Sequence, residues 1–188
     1  TKSLRNERRW IPAEPFGLYP VSGYSVWWDG LEAWPDAREL RQTAVTWSYH
    51  PGHGHKHADE LSVLLWAAGQ AWWTNVGYWS YGAAGREEAV SWTGSNAPHL
   101  VGEGPETTRE SRLVGFGESR DLRAIEMERN GPDGFVVRRL VLHLGPDTWV
   151  VMDSGSGPEQ ARTRTIWTVA PDVRVHPGGG ELRWILEA

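Results

Sequence analysis

Short runs of strand-forming residues, each closed by a turn, follow one another along this chain, and no segment carries a sustained helical period. The runs fall at residues 24–28, 43–49, 61–66, 71–74, 111–116, 122–128, 135–144, 149–153, 162–169 and 182–186. Asp29-Gly30, Gly69-Gln70, Asn130-Gly131, Asp133-Gly134 and the Gly/Pro-bearing stretch 154–158 punctuate them, because Gly, Asn and Asp supply the backbone angles that tight turns need. A chain built this way predicts an all-β fold, an antiparallel β-sandwich. Residues 1–20 hold Pro12, Pro15 and Pro20 with little periodicity and read as a linker or irregular entry segment. Residues 21–188 then form one sandwich domain, and both chain ends read as cuts through a longer protein.

Composition narrows the class. With 188 residues the chain can bury a full core. No stretch approaches the roughly 18 apolar residues of a membrane span, so no membrane partner is expected. Formal charge is −5 with both signs interspersed; a nucleic-acid binder would carry a basic stripe, and none is present. Cys is absent, which removes disulfides and thiolate chemistry. No Gly-x-Ser-x-Gly elbow accompanies Ser91 and Ser95, and no phosphate loop or dinucleotide fingerprint occurs.

Thirteen Trp residues stand out. A Trp face fills a sandwich core as readily as it stacks on a sugar ring. The pairs Trp27-Trp28 and Trp72-Trp73 put one indole on each side of a strand, so core and platform both stay open for them.

Four of the seven His lie within residues 50–57. His53, His55, His57 and Asp59 occupy alternate positions, and in an extended segment all four would project from one face. Such a row can share a metal ion, or set one imidazole as a base that its neighbours orient. Glu103, Glu106 and Glu110 read as a solvated loop rather than a carboxylate pair. Arg109, Arg112, Arg120 and Arg123 read chiefly as solvated strand faces.

The stretch His55-Lys-His57-Ala-Asp59-Glu-Leu61-Ser62, an apolar run to Gly69, and then Trp73-Thr-Asn75-Val-Gly77 with Ser80-Tyr81 resembles the signature of the heparinase II/III polysaccharide lyases. That signature reads His-x-His-x-Asp-x-x-Ser, a strand, an Asp-Pro-Gly turn and a Tyr. Arg86, Asn96-Ala-Pro-His99, Arg138-Arg-Leu-Val-Leu-His-Leu and Trp149-Val-Val-Met-Asp153 extend the resemblance over residues 20–170. Asp59 and Ser62 anchor the register on His55-x-His57 rather than on His53-Gly-His55.

The resemblance implies a C-terminal β-sandwich whose partner, an N-terminal α/α toroid, is absent from this chain. It implies β-elimination on an acidic, uronic-acid-containing polysaccharide, of heparan sulfate or alginate type, in the periplasm or outside the cell. His55 takes the catalytic position, with a toroid Tyr and Asn or His completing the site. His53, Trp73, Tyr81 and Arg86 take substrate-binding positions. His57, Asn75 and His99 take the positions of a divalent metal site, zinc first, although Asn75 stands where the family has an anionic Asp. Two other readings compete: a non-catalytic carbohydrate-binding or structural sandwich using its Trp surface, and a metal-dependent β-fold enzyme of another type.

Overall fold

The computed structural model describes residues 15–30, 38–48, 55–107, 109–180 and 183–188. Within them the chain forms strands β1 (Phe16–Tyr19), β2 (Tyr24–Asp29), β3 (Arg41–Thr46), β4 (Val63–Ala67) and β5 (Gln70–Trp73). A five-residue helix α1 (Arg86–Val90) and a 3-10 turn (Trp92–Gly94) interrupt the β pattern. There follow β6 (His99–Leu100), β7 (Ser111–Ser119), β8 (Leu122–Asn130), β9 (Val136–Leu144), β10 (Trp149–Ser156), β11 (Thr163–Arg164), β12 (Arg174–Pro177) and β13 (Trp184–Glu187). No helix among the described residues is long and apolar enough to cross a membrane.

Two antiparallel sheets dominate, one ordered β1-β2-β3-β4-β5 and the other β10-β9-β8-β7. Their strands follow sequence order, so neighbours in the chain are neighbours in the sheet, and the longest of these connections, between Thr46 and Val63, carries the His-rich stretch. The β4–β5 hairpin turns through Ala68 and Gly69, both at positive φ. Two small pairs, β6 with β11 and β12 with β13, lie outside the main sheets.

Alternation builds the core. Trp27, Val45, Leu61 and Val63 from the first half of the chain meet Ile125, Met127, Val137 and Val141 from the second in one buried cluster. Each strand residue between them faces outward. Trp27 is 1% exposed and enters this core, while its neighbour Trp28 is only half-buried, on the opposite face. Burying eight such side chains removes the apolar area that drives the two sheets together, worth about 1.5–3 kcal/mol per large side chain.

The structure departs from the sequence reading in specific places. Phe16–Tyr19, inside the stretch read as irregular, is β1, held by full pairing with β2. The run read as a strand over 162–169 keeps only β11, and beyond it the backbone meets the end of β5 through a Trp73–Val169 bridge and the Thr74 N–H on the Thr168 carbonyl.

Candidate active site

The His segment is not a strand. Its backbone N–H groups bond to three different partners: Ala58 to Val90, Leu61 to Thr46, and Ser62 back to Asp59. Leu61 sits at φ 72, a left-handed angle unusual for a non-glycine residue. From His55 to Asp59 the expected row on one face is therefore replaced by a loop that turns just before β4.

Lys56 curls that loop. Its ammonium donates to the His57 carbonyl at 2.6 Å and to Asp59, and lies 3.0 Å from Glu60 Oε1. Two hydrogen bonds and an ion pair engage the ammonium on three acceptors. Glu60 is itself buried, and Arg109 grips it with a fork of Nε at 2.9 Å and Nη2 at 3.2 Å. Arg109 also donates to the Pro105 and Thr107 carbonyls. A buried ion pair of this quality persists only because hydrogen bonds satisfy both ends.

The same ion-pair layer continues beneath the site. Trp92, 2% exposed, carries the Arg109 guanidinium 4.7 Å and the Arg129 guanidinium 4.2 Å from its ring centroid. Arg129 in turn donates two 2.8 Å bonds to Glu103. The expectation of solvated charges at Arg109 and Glu103 is thus corrected. Each finds its partner across the fold, Arg109 on Glu60 and Glu103 on Arg129, and the pairing permits burial. Arg123 is also largely withdrawn from solvent, bonded to Asp29 and Glu118, whereas Arg112 stays exposed on Glu128.

Above this layer His55 is exposed. The Tyr81 hydroxyl lies 3.1 Å from His55 Nδ1, and the rings meet edge-on. The Arg86 guanidinium stacks 4.0 Å over the Tyr81 ring and donates to the Trp79 carbonyl at 2.7 Å. Three residues placed separately on the sequence, His55, Tyr81 and Arg86, are brought into one surface cluster. An imidazole and a phenol at hydrogen-bond range, with a guanidinium stacked on the phenol ring, can move a proton beside an anionic group.

The three metal-position residues sit on segments tied together by hydrogen bonds. The Ser95 hydroxyl donates to the Ala58 carbonyl at 2.8 Å, and the Val76 N–H to the Gly94 carbonyl at 2.8 Å. His99 is buried, parallel to Trp92 at 5.7 Å, with Nδ1 at 3.1 Å from the Ala97 carbonyl. Burial holds its pKa below the usual imidazole value despite the Ala97 bond and the Glu103 charge, keeping the ring neutral. The Asn75 amide donates to Ser62 Oγ at 3.2 Å, while its Oδ1 is buried with no partner. Among the described residues, no three His, Asp or Glu side chains group as a metal would need. His57 and His99 would therefore need the Asn75 oxygen as a third ligand. An orphaned oxygen and a neutral imidazole with a carbonyl-fixed Nδ1 fit that role.

Trp73 packs against the core and against Trp167 at 4.8 Å, so its indole belongs mainly to the sandwich edge. His53 lies outside the described residues. Lys56, Asp59, Ser62 and Asn75 line one end of a cleft of about 410 Å³ that also reaches Tyr24 and Leu64. The sequence reading missed Lys56, Glu60, Trp92 and Arg129 as site supports. Their only local signal was the Lys56–Glu60 spacing, which without a fold is a common surface pattern.

The heparinase II/III-like, C-terminal family model matches residues 11–186. A crystal structure of heparinase III superposes with a TM-score of 0.64 at 16% identity, covering 82% of this chain and 24% of that one. A mutant of the heparan sulfate lyase HepC from Pedobacter heparinus superposes with a TM-score of 0.68 at 15% identity, with the same coverage of 82% and 24%. The chain thus spans about a quarter of the length of these two solved structures. A comparison with curated proteins returns no match. The match over nearly the whole chain, joined to a sandwich of the same fold, means that this chain belongs to the heparinase II/III-like C-terminal family.

Proposed function

We propose that this chain is the sandwich part of a polysaccharide lyase that cleaves a uronic-acid-containing polymer by β-elimination. The observation that carries the reading is the exposed His55 imidazole within 3.1 Å of the Tyr81 hydroxyl, beside Arg86. In β-elimination a base removes the proton at C5 of the uronate. The electron pair then forms the C4–C5 double bond as the C4–O bond breaks, and the leaving oxygen takes up a proton. The C5 proton is hard to remove unless positive charge or hydrogen-bond donors meet the adjacent carboxylate. His55 supplies the base, or a donor to that carboxylate, and Tyr81 exchanges a proton with it. Arg86 supplies fixed positive charge at the same surface. A toroid domain elsewhere in the parent protein provides the opposite wall of the site.

The parent protein, incubated with heparan sulfate or alginate, is expected to release unsaturated products that absorb in the ultraviolet. His55→Ala is expected to abolish that signal; undiminished turnover in this variant would sink the reading.

A divalent ion, zinc first, belongs to the same proposal. His57, Asn75 and His99 would hold it, and when bound it would fix the loop around His57 rather than take part in the reaction. Metal analysis of the purified protein tests this: His99→Ala is expected to lose the bound metal, and a metal-free wild type would refute it. A periplasmic or secreted location follows from a polymeric substrate that cells meet outside the membrane, and fractionation of the source cells checks it.

A non-catalytic carbohydrate-binding module is the second reading, favoured by Tyr78, Trp79 and Tyr81, which are all exposed. Oligosaccharide binding without turnover in the parent protein would select it.

A further inference from the structure

The outward face of the five-stranded sheet is unusual for a surface. Residues 25, 27, 43, 45, 63 and 65 point inward, leaving Tyr24, Trp28, Ala44, Thr46, Leu64 and Trp66 on the outside. None of the outward positions of β2, β3 and β4 carries a charge. Tyr24 is 39% and Leu64 38% exposed, so the face offers apolar area to solvent.

Two depressions cross this face. The cleft of about 410 Å³ described above shares Ala44 and Leu64 with a second, of about 180 Å³, that runs on to Trp66 and Ala71. Together they form one groove, with the small Ala44 side chain on its floor. The Tyr24 ring stands in its wall, backed by Tyr19 at 4.7 Å. Ser22 and Ser48 add hydroxyls to the lining, while Ser62 is buried with its Oγ bonded by Asn75. The charges there, Lys56 and Asp59, neutralise each other.

We propose that this groove binds the sugar rings that extend from the reacting uronate, through ring stacking and hydroxyl contacts with no ionic component. This rests on the lyase reading for the identity of the polymer, but not for the binding itself. A flat aromatic wall, a shallow floor and hydroxyls without net charge complement an uncharged pyranose. The groove begins at the catalytic loop itself, so a polymer seated at His55 has this path to follow. A lining whose two charges, Lys56 and Asp59, are paired with each other offers no free cation to a carboxylate or sulfate on every ring. The groove therefore favours a polymer in which uronate alternates with a neutral sugar over a homopolymer of uronate.

The test uses the full parent protein carrying His55→Ala, so that ligand is not consumed. Calorimetric titration would compare unsulfated tetrasaccharides and decasaccharides of alternating glucuronate and N-acetylglucosamine, with oligomannuronates of the same lengths alongside. Adding Tyr24→Ala is expected to weaken decasaccharide binding about tenfold, equivalent to about 1.4 kcal/mol, and tetrasaccharide binding less than about twofold. The factor should be the same in low and high salt, since no ion pair is screened. Ala44→Phe, which fills the floor, should act in the same direction. Equal loss at both lengths, a loss that vanishes at high salt, tighter binding of the oligomannuronates, or no binding of either series would overturn the proposal. So would a lowered melting temperature with unchanged affinity in both variants, which would mean that protein rather than sugar covers this face. Turnover in the His55-intact protein is read separately. If His55→Ala leaves turnover intact while the length-dependent affinity loss appears, the lyase assignment of His55 fails and the groove stands.

Discussion

The sandwich carries a histidine beside buried ion pairs at two separate places, and the two differ in one respect that matters. At the His55 loop, Glu60–Arg109 and Glu103–Arg129 form a layer under the site, and His55 stands outside it. Around β9, His143 is inside the network. It is 3% exposed, stacked on Trp149 at 4.5 Å, with Nδ1 3.1 Å from Asp29 and Nε2 3.4 Å from the Pro146 carbonyl. Arg123 holds the same Asp29 at 2.5 Å, and Trp149 donates to Thr43 across the sheets at 2.9 Å. Both His143 nitrogens face acceptors, so that ring clamps the two sheets. Among the described residues, the His55 ring nitrogens meet only the Tyr81 hydroxyl, and on the proposed reading that leaves the ring able to exchange a proton with substrate. A histidine does chemistry when its supports hold the backbone and leave the ring free.

The comparison can be broken most sharply on activity. His55→Ala in the parent protein is expected to reduce lyase turnover by about 10²–10⁴-fold, whereas His143→Phe should leave turnover per folded molecule within about twofold. Product absorbance normalised to folded protein measures both. Equal losses would erase the distinction between the two histidines.

Next in size is the support layer. Glu60→Ala strands Arg109 and is expected to cost about 3–5 kcal/mol in chemical denaturation. Arg112→Ala, which removes an exposed partner of Glu128, should cost less than about 1 kcal/mol. Similar costs would show that the buried layer carries no special weight.

A smaller effect is expected from Tyr81→Phe, which keeps the ring under Arg86 and removes only the hydroxyl. The fall in kcat should be about tenfold or more with KM little changed. A rise in KM alone would make Tyr81 a binding residue.

The smallest effect concerns pH. Burial raises the Asp29 pKa, but the His143 and Arg123 bonds together hold it below the ordinary value of 3.8. A carboxylate with a depressed folded pKa adds stability that is present above its unfolded value and lost as pH falls through the folded one. Melting temperature followed from pH 5 downward should therefore show the wild type losing its advantage over Asp29→Asn only below about pH 4. A constant difference across that range would remove Asp29 from the clamp.

Local pattern carried a good part of this protein. Strand-forming runs at residues 122–128 and 135–144 marked the segments that become β8 and β9, which bring Ile125, Met127, Val137 and Val141 into the core. Turn chemistry marked the Gly69 hairpin, and the His55-to-Ser62 spelling marked the family. Alternation failed at the histidines for a local reason: Lys56 bonds to Asp59 and Glu60 instead of extending. It also failed at β1, a four-residue strand too short to show alternation, which forms by hairpin pairing with β2.

By itself, then, the sequence determined the β class, the position of the long strands and the motif that marks the family. Those properties depend on neighbours one or two positions apart. Only the tertiary structure decided which charges are buried and which ring is free. Glu60 and Arg109 are 49 positions apart, and His55 and Tyr81 are 26 apart. Whether an ion is solvated or paired, and whether an imidazole is clamped or exposed, depends on contacts that exist only after the sheets have closed.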